Sequence, residues 1–357
     1  MNWKTGLRQP GVSAVLVAAL LFGAGTPLAK WLLDAVSPWL LAGLLYLGSG
    51  VGLTLYRRLI HAPAPQLTRY EMFWFAGAIL AGGIVAPVLL MVGLTGMPAS
   101  GASLLLNLEG VFTALLAWFV FKENFDRYIA LGMAAILAGA VTLSWSGEAQ
   151  FSGVGPILAV LGACLAWGVD NNLTRKISLL DATWIASVKG LASGTVNLIL
   201  AFSLGAFMPA LPDLAGAMLV GLLAYGVSLA LFVAGLRHLG TARTSAYFSV
   251  APFFGAILAV LMGDAFTMQL FIAGVLMALG TWLHLTERHV HEHFHAEFVH
   301  DHAHVHDEHH QHQHDERGMP DVVPSVISGV MHRHLHRHKP LTHTHAHFPD
   351  THHQHDH

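Results

Sequence analysis

Long apolar blocks alternate with short polar breaks along the chain from residue 12 to residue 286. A membrane-spanning helix needs about 20 mostly apolar residues to cross the hydrocarbon core. Breaks at charged residues and at turns marked by Pro or Gly predict ten such helices. Their approximate bounds are 12–33, 38–56, 72–94, 97–121, 127–145, 153–174, 183–205, 214–236, 241–262 and 268–286.

The composition agrees with this pattern and separates two regions. Of the 357 residues, 54% are hydrophobic and only 11% are charged, whereas a soluble domain is about one quarter charged. Residues 288–357 are polar instead and carry 23 of the 26 histidines. We therefore expect an all-α, multi-pass membrane protein with a hydrophilic tail. Its partners are then the lipid bilayer and a small-molecule or metal-ion substrate, with a homodimer as a further candidate and no nucleic acid.

The lysines and arginines predict the orientation, because cytoplasmic loops are enriched in both. With the N-terminus in the cytoplasm, only Lys30 falls in an outside segment and Lys189 lies within a span. Both termini are then cytoplasmic, and a bacterial inner membrane is the expected location. The residues that fall in inside segments are Lys4, Arg8, Arg57, Arg58, Arg69, Lys122, Arg127, Arg175, Lys176, Arg237, Arg243 and Arg288.

The sequence also contains an internal repeat. A shift of 145 residues places FGAGTPLAK (22–30) on WGVDNNLTR (167–175), and SPWLLAGLLYLGSG (37–50) on ATWIASVKGLASGT (182–195). Five helices per unit is an odd number, so the second unit enters the membrane from the opposite side, as in many secondary transporters. The expected domains are two inverted five-helix repeats at 1–147 and 148–288 and a tail at 289–357.

These residues resemble the EamA-type drug/metabolite transporter family over residues 12–286. The resemblance is carried by FG…PLAK and WG…LTRK, and by LEGVFTALLAWFVFKE (108–123) with its mate APFFGAILAVLMGD (251–264). It implies a ten-helix carrier or exporter of amino acids, nucleotide precursors or other small metabolites. The chain departs from the family pattern in three places. Gly110 replaces a usual Pro, and a basic residue common in helix 2 is absent, since Leu44 aligns with Lys189 in the repeat. The His-rich tail is the third departure.

Glu109 is the first candidate site residue, because about 12 residues of helix 4 precede it and place it near the middle of the bilayer. A charge at that depth costs roughly 2.5–3.5 kcal/mol on insertion scales. One interpretation is a carboxylate that couples transport to a proton or cation. The other is a structural hydrogen bond, with Gly110 allowing close helix approach. Asn107 lies two residues earlier, on a different helix face.

A second group of candidates lies near the cytoplasmic end of helix 6 and at the matching place in helix 1. An unwound stretch lining a cavity is one interpretation, since Pro in the mate removes a backbone donor. A polar helix C-cap is the other. Lys189 in helix 7 is expected to pair with Asp170, as a structural contact or a gate, or else to extend to the interface. The group comprises Asp170, Asn171, Asn172, Lys189, Thr26 and Pro27.

The tail is expected to bind transition metal, because imidazole ligates Zn, Ni, Co and Cu well. The spacing gives no fixed tetrahedral set, so we expect exchangeable sites in a disordered segment, suited to buffering, sensing or delivery. A pH-responsive tail is the alternative. The proposed ligands are His291, His293, His295, His300, His302, His304, His306, His309, His310, His312, His314, His332, His334, His336 and His338.

Three hypotheses for function follow. The first is a secondary transporter, acting as an exporter of a small polar metabolite or drug-like compound by alternating access, with a metal-binding regulatory tail. The second is a transporter of Ni, Co or Zn that receives the ion from the tail. The third is a membrane-anchored metal buffer or sensor without transport. An enzyme is not expected, and no cofactor is required; Zn, Ni and Co are the ions that the tail is expected to bind.

Overall fold

The computed structural model describes residues 10–65, 67–121, 127–144, 153–177, 180–232, 234–235, 247–285, 289–295, 298–304, 332–338 and 341–347. The chain divides into two compact units, Met1–Glu287 and Arg288–His357. The first unit is helical. In chain order its helices are α1 (Pro10–Leu32), α2 (Pro38–Leu59), α3 (Arg69–Thr95), α4a (Ala99–Leu105), α4b (Leu108–Phe121), α5 (Arg127–Ser144), α6 (Val154–Arg175), α7 (Ala182–Ser203), α8 (Leu211–Phe232), α9 (Ala251–Leu261) and α10 (Met268–Leu285).

Seven helical stretches of the described chain are long and apolar enough to cross a membrane: α1, α2, α3, α4a with α4b, α6, α7 and α8. Three further apolar helices are shorter, at Ala130–Ser144, Ala251–Leu261 and Met268–Leu283. They lie within the remaining three predicted spans, 127–145, 241–262 and 268–286. The prediction of ten crossings therefore stays a prediction for these three, while the helices themselves are present.

Helix packing follows the internal repeat. Each of α2 and α5 packs against its own mate, α7 and α10 respectively. The other contacts come in related pairs, since α6 packs on α3 and α4b while its mate α1 packs on α8 and α9. The packing thus has an approximate two-fold relation between the halves.

The α2–α7 contact depends on small residues, as expected of glycines at packed helix interfaces. A Cβ at Gly190 would stand 2.7 Å from the Gly50 Cα, and one at Gly194 would stand 2.6 Å from the Leu47 backbone nitrogen. Neither position has room for a side chain. The glycines of GLASG (190–194) therefore let α2 and α7 pack closely.

Two helices contain a π-helical segment at related places, Ile79–Val85 in α3 and Leu222–Val227 in α8. The Ala86 N–H donates to the Ala81 carbonyl, and the Ser228 N–H donates to the Leu223 carbonyl, each five residues back. The wider turn shifts the following carbonyls out of the regular ladder. Such segments often occur at functional sites.

Helix 4 is interrupted where the sequence predicts a continuous span. At the joint between α4a and α4b, the Asn107 N–H bonds to the Leu104 carbonyl and the Glu109 N–H bonds to the Leu106 carbonyl, both at 3.0 Å. Bonds over three residues tighten the chain there. The Asn107 side chain also donates to the Leu104 carbonyl at 2.9 Å, so it competes with the regular helix pattern.

The unwound stretch weighed for helix 6 and helix 1 is wrong. Within the described residues, α6 runs without interruption through 170–172 and α1 runs through Pro27. In α6, the Asn172 side chain donates to the Gly168 carbonyl four residues back at 2.9 Å without ending the helix. In α1, Pro27 leaves the Gly23 carbonyl without its helical donor. That carbonyl lies against Gly255 of α9, where a Cβ would stand 2.7 Å away.

The described residues of the tail unit form four strands: β1 (His289–His295), β2 (Phe298–His304), β3 (His332–His338) and β4 (Leu341–His347). They form two separate two-stranded antiparallel ladders, β1 with β4 and β2 with β3. Disorder is therefore not confirmed over these four stretches. The physical reason is that histidine alternates with other residues there, which matches the two-residue period of a strand.

Candidate functional site

Glu109 begins α4b and faces α6. The Asn171 amide of α6 donates to Glu109 Oε1 at 2.9 Å and to the Thr113 hydroxyl at 3.2 Å. The Thr113 hydroxyl in turn donates to the Glu109 carbonyl at 2.8 Å. Glu109 is partly buried and Asn171 is exposed. The Glu109 carboxylate therefore has a fixed hydrogen-bond donor in α6, next to an exposed part of that helix.

Asn172 has a different environment from its neighbour Asn171. Its side chain is buried and donates to the Thr113 carbonyl of α4b at 3.1 Å. The helices meet closely there, because a Cβ at Gly168 would stand 3.1 Å from the Phe112 Cβ. Asn172 thus joins α6 to the backbone of α4b, while Asn171 contacts the carboxylate.

Asp170 and Lys189 form an ion pair between α6 and α7. The exposed fraction of the side chain is 7% for Asp170 and 16% for Lys189, so the pair lies inside the bundle. The Thr174 hydroxyl donates to the other carboxylate oxygen at 2.9 Å. The predicted pairing of these two charges is confirmed. A buried charge needs such a partner, since removal of one leaves the other uncompensated.

The α3 π segment packs directly on this ion pair. A Cβ added to Gly82 would overlap the Asp170 carboxylate, and one added to Gly83 would overlap the Ser193 hydroxyl. The displaced Gly82 carbonyl accepts hydrogen bonds from the Tyr46 hydroxyl at 2.7 Å and from Trp167 Nε1 at 3.0 Å. The π turn therefore gives the carboxylate its space and supplies an acceptor for two aromatic side chains.

Aromatic rings extend the site towards α8 and α1. The rings of Tyr46 and Tyr225 lie 5.5 Å apart, and Phe22 meets Tyr225 edge-on at 5.9 Å. Phe248 continues the row at 5.4 Å from Phe22. Tyr225 belongs to the α8 π segment. An acid and an ion pair thus stand beside a row of aromatic faces, which suits a small ligand with both polar and apolar parts.

Several predicted site residues lie away from Glu109. The Asn107 side chain contacts α10, where Thr281 donates to it at 3.5 Å and Met277 sulfur lies 3.9 Å away. This confirms that Asn107 and Glu109 use different faces. Thr26 is buried in α1, the mate of α6, next to Pro27 and the α9 contact described above.

The close-approach role weighed for Gly110 is wrong. Gly110 is exposed, and a Cβ added there would meet nothing within 4 Å. Among the described residues, no neighbouring helix reaches this position, so the missing side chain allows no closer contact. The packed glycine of this interface is Gly168 instead.

The metal-ligand predictions concern the tail. Across the residues that the structure describes, no three His, Cys, Asp or Glu side chains gather into a metal site. The other predicted ligands lie in strands: His291, His293 and His295 in β1, His300, His302 and His304 in β2, and His332, His334, His336 and His338 in β3. Outside the described residues lie His306, His309, His310, His312 and His314.

The cluster combines the carboxylate of Glu109, which has no cationic hydrogen-bond partner among the described contacts, with one compensated ion pair. Glu109 is close enough to interact electrostatically with both Asp170 and Lys189. A proton or cation arriving at Glu109 would thus alter the electrostatic balance of the pair. Sequence reasoning missed Gly82, Tyr46 and Trp167. For Gly82 the sequence sign was the glycine-rich run GAILAGG (77–83), which indicates close packing but not its partner.

The EamA-like transporter family matches the chain twice, over residues 9–145 and 154–286. An uncharacterized transporter of Methanothermobacter thermautotrophicus is 28% identical over 295 residues, which cover 76% of this chain and 85% of the relative. The uncharacterized inner membrane transporter YedA of Escherichia coli K12 is 24% identical, over 71% of this chain and 82% of the relative. A probable amino-acid metabolite efflux pump of Salmonella typhimurium is 29% identical over 171 residues, covering 48% of this chain and 54% of the pump.

A solved crystal structure whose description names no function shares the fold. Its TM-score is 0.59 at 20% identity, over 76% of this chain and 95% of that chain. The apolar helices and the family match together establish an integral, multi-pass membrane protein, and the relatives are named as transporters. With both halves matched, over more than half of its length, the chain belongs to the EamA-like transporter family and is a membrane transporter.

Proposed function

We propose that the protein is a secondary transporter that exports a small polar metabolite, of the amino-acid class, by alternating access. The name of the Salmonella relative supports both the class and the direction of transport. The two family matches and the related packing of the halves support two inverted five-helix repeats with ten crossings. In this proposal the chain lies in a bacterial inner membrane with both termini in the cytoplasm.

One observation carries the proposal: Glu109, at the joint of helix 4, accepts a hydrogen bond from Asn171 across the α4b–α6 contact and is only partly buried. In our proposal Glu109 exchanges a proton or binds the amino group of the substrate. Asn171 leaves the carboxylate as that partner arrives. Since Asn171 also bonds Thr113, its release loosens the contact between the halves.

The Asp170–Lys189 pair acts in this proposal as a gate near the cytoplasmic end of α6. The pair stays buried and compensated while Glu109 is ionised. A change of charge at Glu109 weakens or strengthens it through the electrostatic interaction of the three groups. The row of Tyr46, Tyr225 and Phe22 receives the apolar part of the substrate. The tail binds transition metal and regulates the bundle.

The test expresses the full chain, Glu109→Gln, and a chain ending after Arg288 in a bacterial host. Amino acids in the medium are measured by mass spectrometry, and cellular Zn, Ni and Co by elemental analysis. Export of a metabolite predicts amino acids that accumulate outside cells with the full chain and fall to the background of an empty vector with Glu109→Gln. The matched control is Asp213→Asn, which removes a carboxylate in the first turn of α8 and should leave export unchanged.

The same cells separate the alternatives. A metal cargo predicts altered metal content that Glu109→Gln abolishes, with no amino acid outside the cells. A metal buffer predicts a change that survives Glu109→Gln and vanishes when the tail is removed. Export equal in the full chain and in Glu109→Gln would overturn the role given to this carboxylate.

A further inference from the structure

Two buried polar atoms of α7 have no hydrogen-bond partner among the described residues: Ser193 Oγ and Asn197 Oδ1. Both residues are 0% exposed. Buried polar groups in native proteins are nearly always paired, because an unpaired one destabilises the fold. Two such atoms on one helix therefore indicate a partner that is not part of the described chain.

Both side chains contact Gly83, in the π segment of α3. A Cβ added to Gly83 would stand 1.9 Å from Ser193 Oγ, and the Asn197 amide nitrogen donates to the Gly83 carbonyl at 3.1 Å. Ser193 and Asn197 are four residues apart on α7, so they lie on the same face of that helix. The two unpartnered oxygens thus belong to side chains that meet at one residue of α3.

The Gly83 carbonyl is a third oxygen at this place. Pro87, four residues ahead, has no N–H, so this carbonyl lacks its regular helical donor. A carbonyl oxygen has two lone pairs, of which the Asn197 amide uses one. Turning that amide around would bring two acceptors together, so its nitrogen faces Gly83 and its oxygen faces away. The place therefore has three oxygens but only one proton to donate, that of the Ser193 hydroxyl.

The other half of the chain has glycine at both related positions. Under the shift of 145 residues, Ser193 aligns with Gly48 and Asn197 aligns with Gly52. Helix packing at the related place in α2 therefore needs no polar side chain. Polar side chains inside a membrane that packing does not require are typically kept for function.

The charge of the neighbouring cluster favours a cation as the missing partner. Lys189 lies one turn before Ser193 on α7 and pairs with Asp170, and Glu109 interacts electrostatically with both. When all three are ionised, two carboxylates and one ammonium leave one negative charge in excess. An uncompensated charge inside a bundle is costly. A monovalent cation removes that excess, whereas a water molecule does not.

We propose that Ser193, Asn197 and the Gly83 carbonyl form a Na⁺ site between α3 and α7. Backbone carbonyls freed from the helical ladder coordinate Na⁺ in transporter bundles, and hard cations prefer oxygen ligands. The ion joins α7 to the π segment of α3, beside the Asp170–Lys189 pair. Binding at this site goes beyond the export proposal and is measured without transport, so either proposal can fail while the other stands.

The test measures binding of radiolabelled Na⁺ to the purified full-length protein in detergent, with N-methylglucamine chloride keeping the ionic strength constant. Wild type should bind the label, and excess NaCl should displace it. Ser193→Ala removes one ligand and keeps the hydrogen bond from Asn197 to Gly83, so the affinity for Na⁺ should fall about tenfold or more. The matched control is Ser187→Ala on the same helix, where the hydroxyl already donates to the Trp184 carbonyl at 2.9 Å. It should bind Na⁺ like wild type.

Size-exclusion chromatography checks that each variant is monodisperse. Ser193→Gly, which copies Gly48 of the other half, carries the same expectation if Ser193→Ala does not fold. No binding of Na⁺ by wild type would overturn the site and leave a buried water molecule as the partner of the two atoms. Equal affinity in wild type and the Ser193 variants would place the ion elsewhere and overturn it as well. Export by the bundle is judged separately, through Glu109→Gln.

Discussion

The α6–α3 contact and its mate, the α1–α8 contact, share a backbone arrangement but differ in chemistry. In the first, a carboxylate of α6 packs on a glycine of α3, Asp170 on Gly82. In the second, a glycine of α1 packs on α8, and a Cβ at Gly25 would stand 3.0 Å from the Ala224 Cβ. Asp170 and Gly25 are mates under the shift of 145 residues. The fold thus tolerates either a buried charge or none at this place.

The same contrast holds for the other charged residues of the cluster. The mate of Lys189 is Leu44, which is buried in α2, and the mate of Glu109 is Ala251, which is buried at the start of α9. The bundle therefore does not need these charges for packing. Charges inside a membrane are expensive and are typically kept for function. This one-sided placement is the strongest structural support for a site at α4b, α6 and α7.

The largest loss of stability is expected when the Asp170–Lys189 pair is replaced, one residue at a time, by apolar residues like those in the other half. Lys189→Leu copies Leu44 but leaves Asp170 buried without its partner, which costs about 3–5 kcal/mol. Adding Asp170→Ala removes the orphaned charge and should recover most of that loss. Thermal unfolding in detergent measures both. If the double variant is as unstable as Lys189→Leu, the pair is more than a compensated charge and the comparison with the other half fails.

A smaller difference is expected from matched glycine substitutions in the two contacts. Gly82→Ala forces the new Cβ into the Asp170 carboxylate, and overpacking of this kind costs about 1–3 kcal/mol. Gly25→Ala places its Cβ 3.0 Å from the Ala224 Cβ, so a shift of a few tenths of an ångström relieves the contact, and it should cost less than Gly82→Ala. The melting temperatures of the two purified variants check the order. Equal shifts would show that α3 yields at its π segment and that Gly82 is not the steric limit.

The helices and the Asp170–Lys189 pair could be predicted from sequence, because apolar length and adjacent antiparallel helices determine them locally. The π segments could not, since Ile79–Val85 has the apolar pattern of an ordinary helix. The joint before Glu109 also escaped prediction. It is formed by backbone hydrogen bonds over three residues, to the carbonyls of Leu104 and Leu106, and no Pro or charged residue marks it. Contacts made by backbone carbonyls leave little trace in side-chain patterns.

The strand pairing of the tail could not be predicted from the sequence either. The alternation of histidine was visible in the sequence, but its partners were not. Pairing of β1 with β4 brings together residues about 50 positions apart, from His289 to His347 at the outer pair. Register between distant strands depends on both segments at once. A disordered array and a paired ladder therefore had the same appearance in the sequence.

The smallest effect concerns a charged contact at one end of the bundle. Arg57 of α2 binds Asp181, the N-cap of α7, at 2.7 Å, while the mates of these residues, Phe202 and Val36, are uncharged. Partial burial raises the pKa of Asp181, but hydrogen bonds from the Thr183 hydroxyl and the Trp184 N–H, together with Arg57, outweigh it and lower the pKa below its usual value.

Because the pKa of Asp181 is lower in the folded protein than in the unfolded chain, its ionised form stabilises the fold above the unfolded value of about 3.9. That contribution is lost as the pH falls through the lower, folded pKa. Partly exposed ion pairs contribute at most about 1 kcal/mol, so the shift in melting temperature should be small.

Asp181→Asn keeps a good N-cap and removes the charge, so the difference in stability between wild type and variant should shrink on acidification below pH 4. A difference that stays constant down to pH 2 would mean that the ionised carboxylate contributes nothing, and that this end of the bundle depends on apolar packing like its mate.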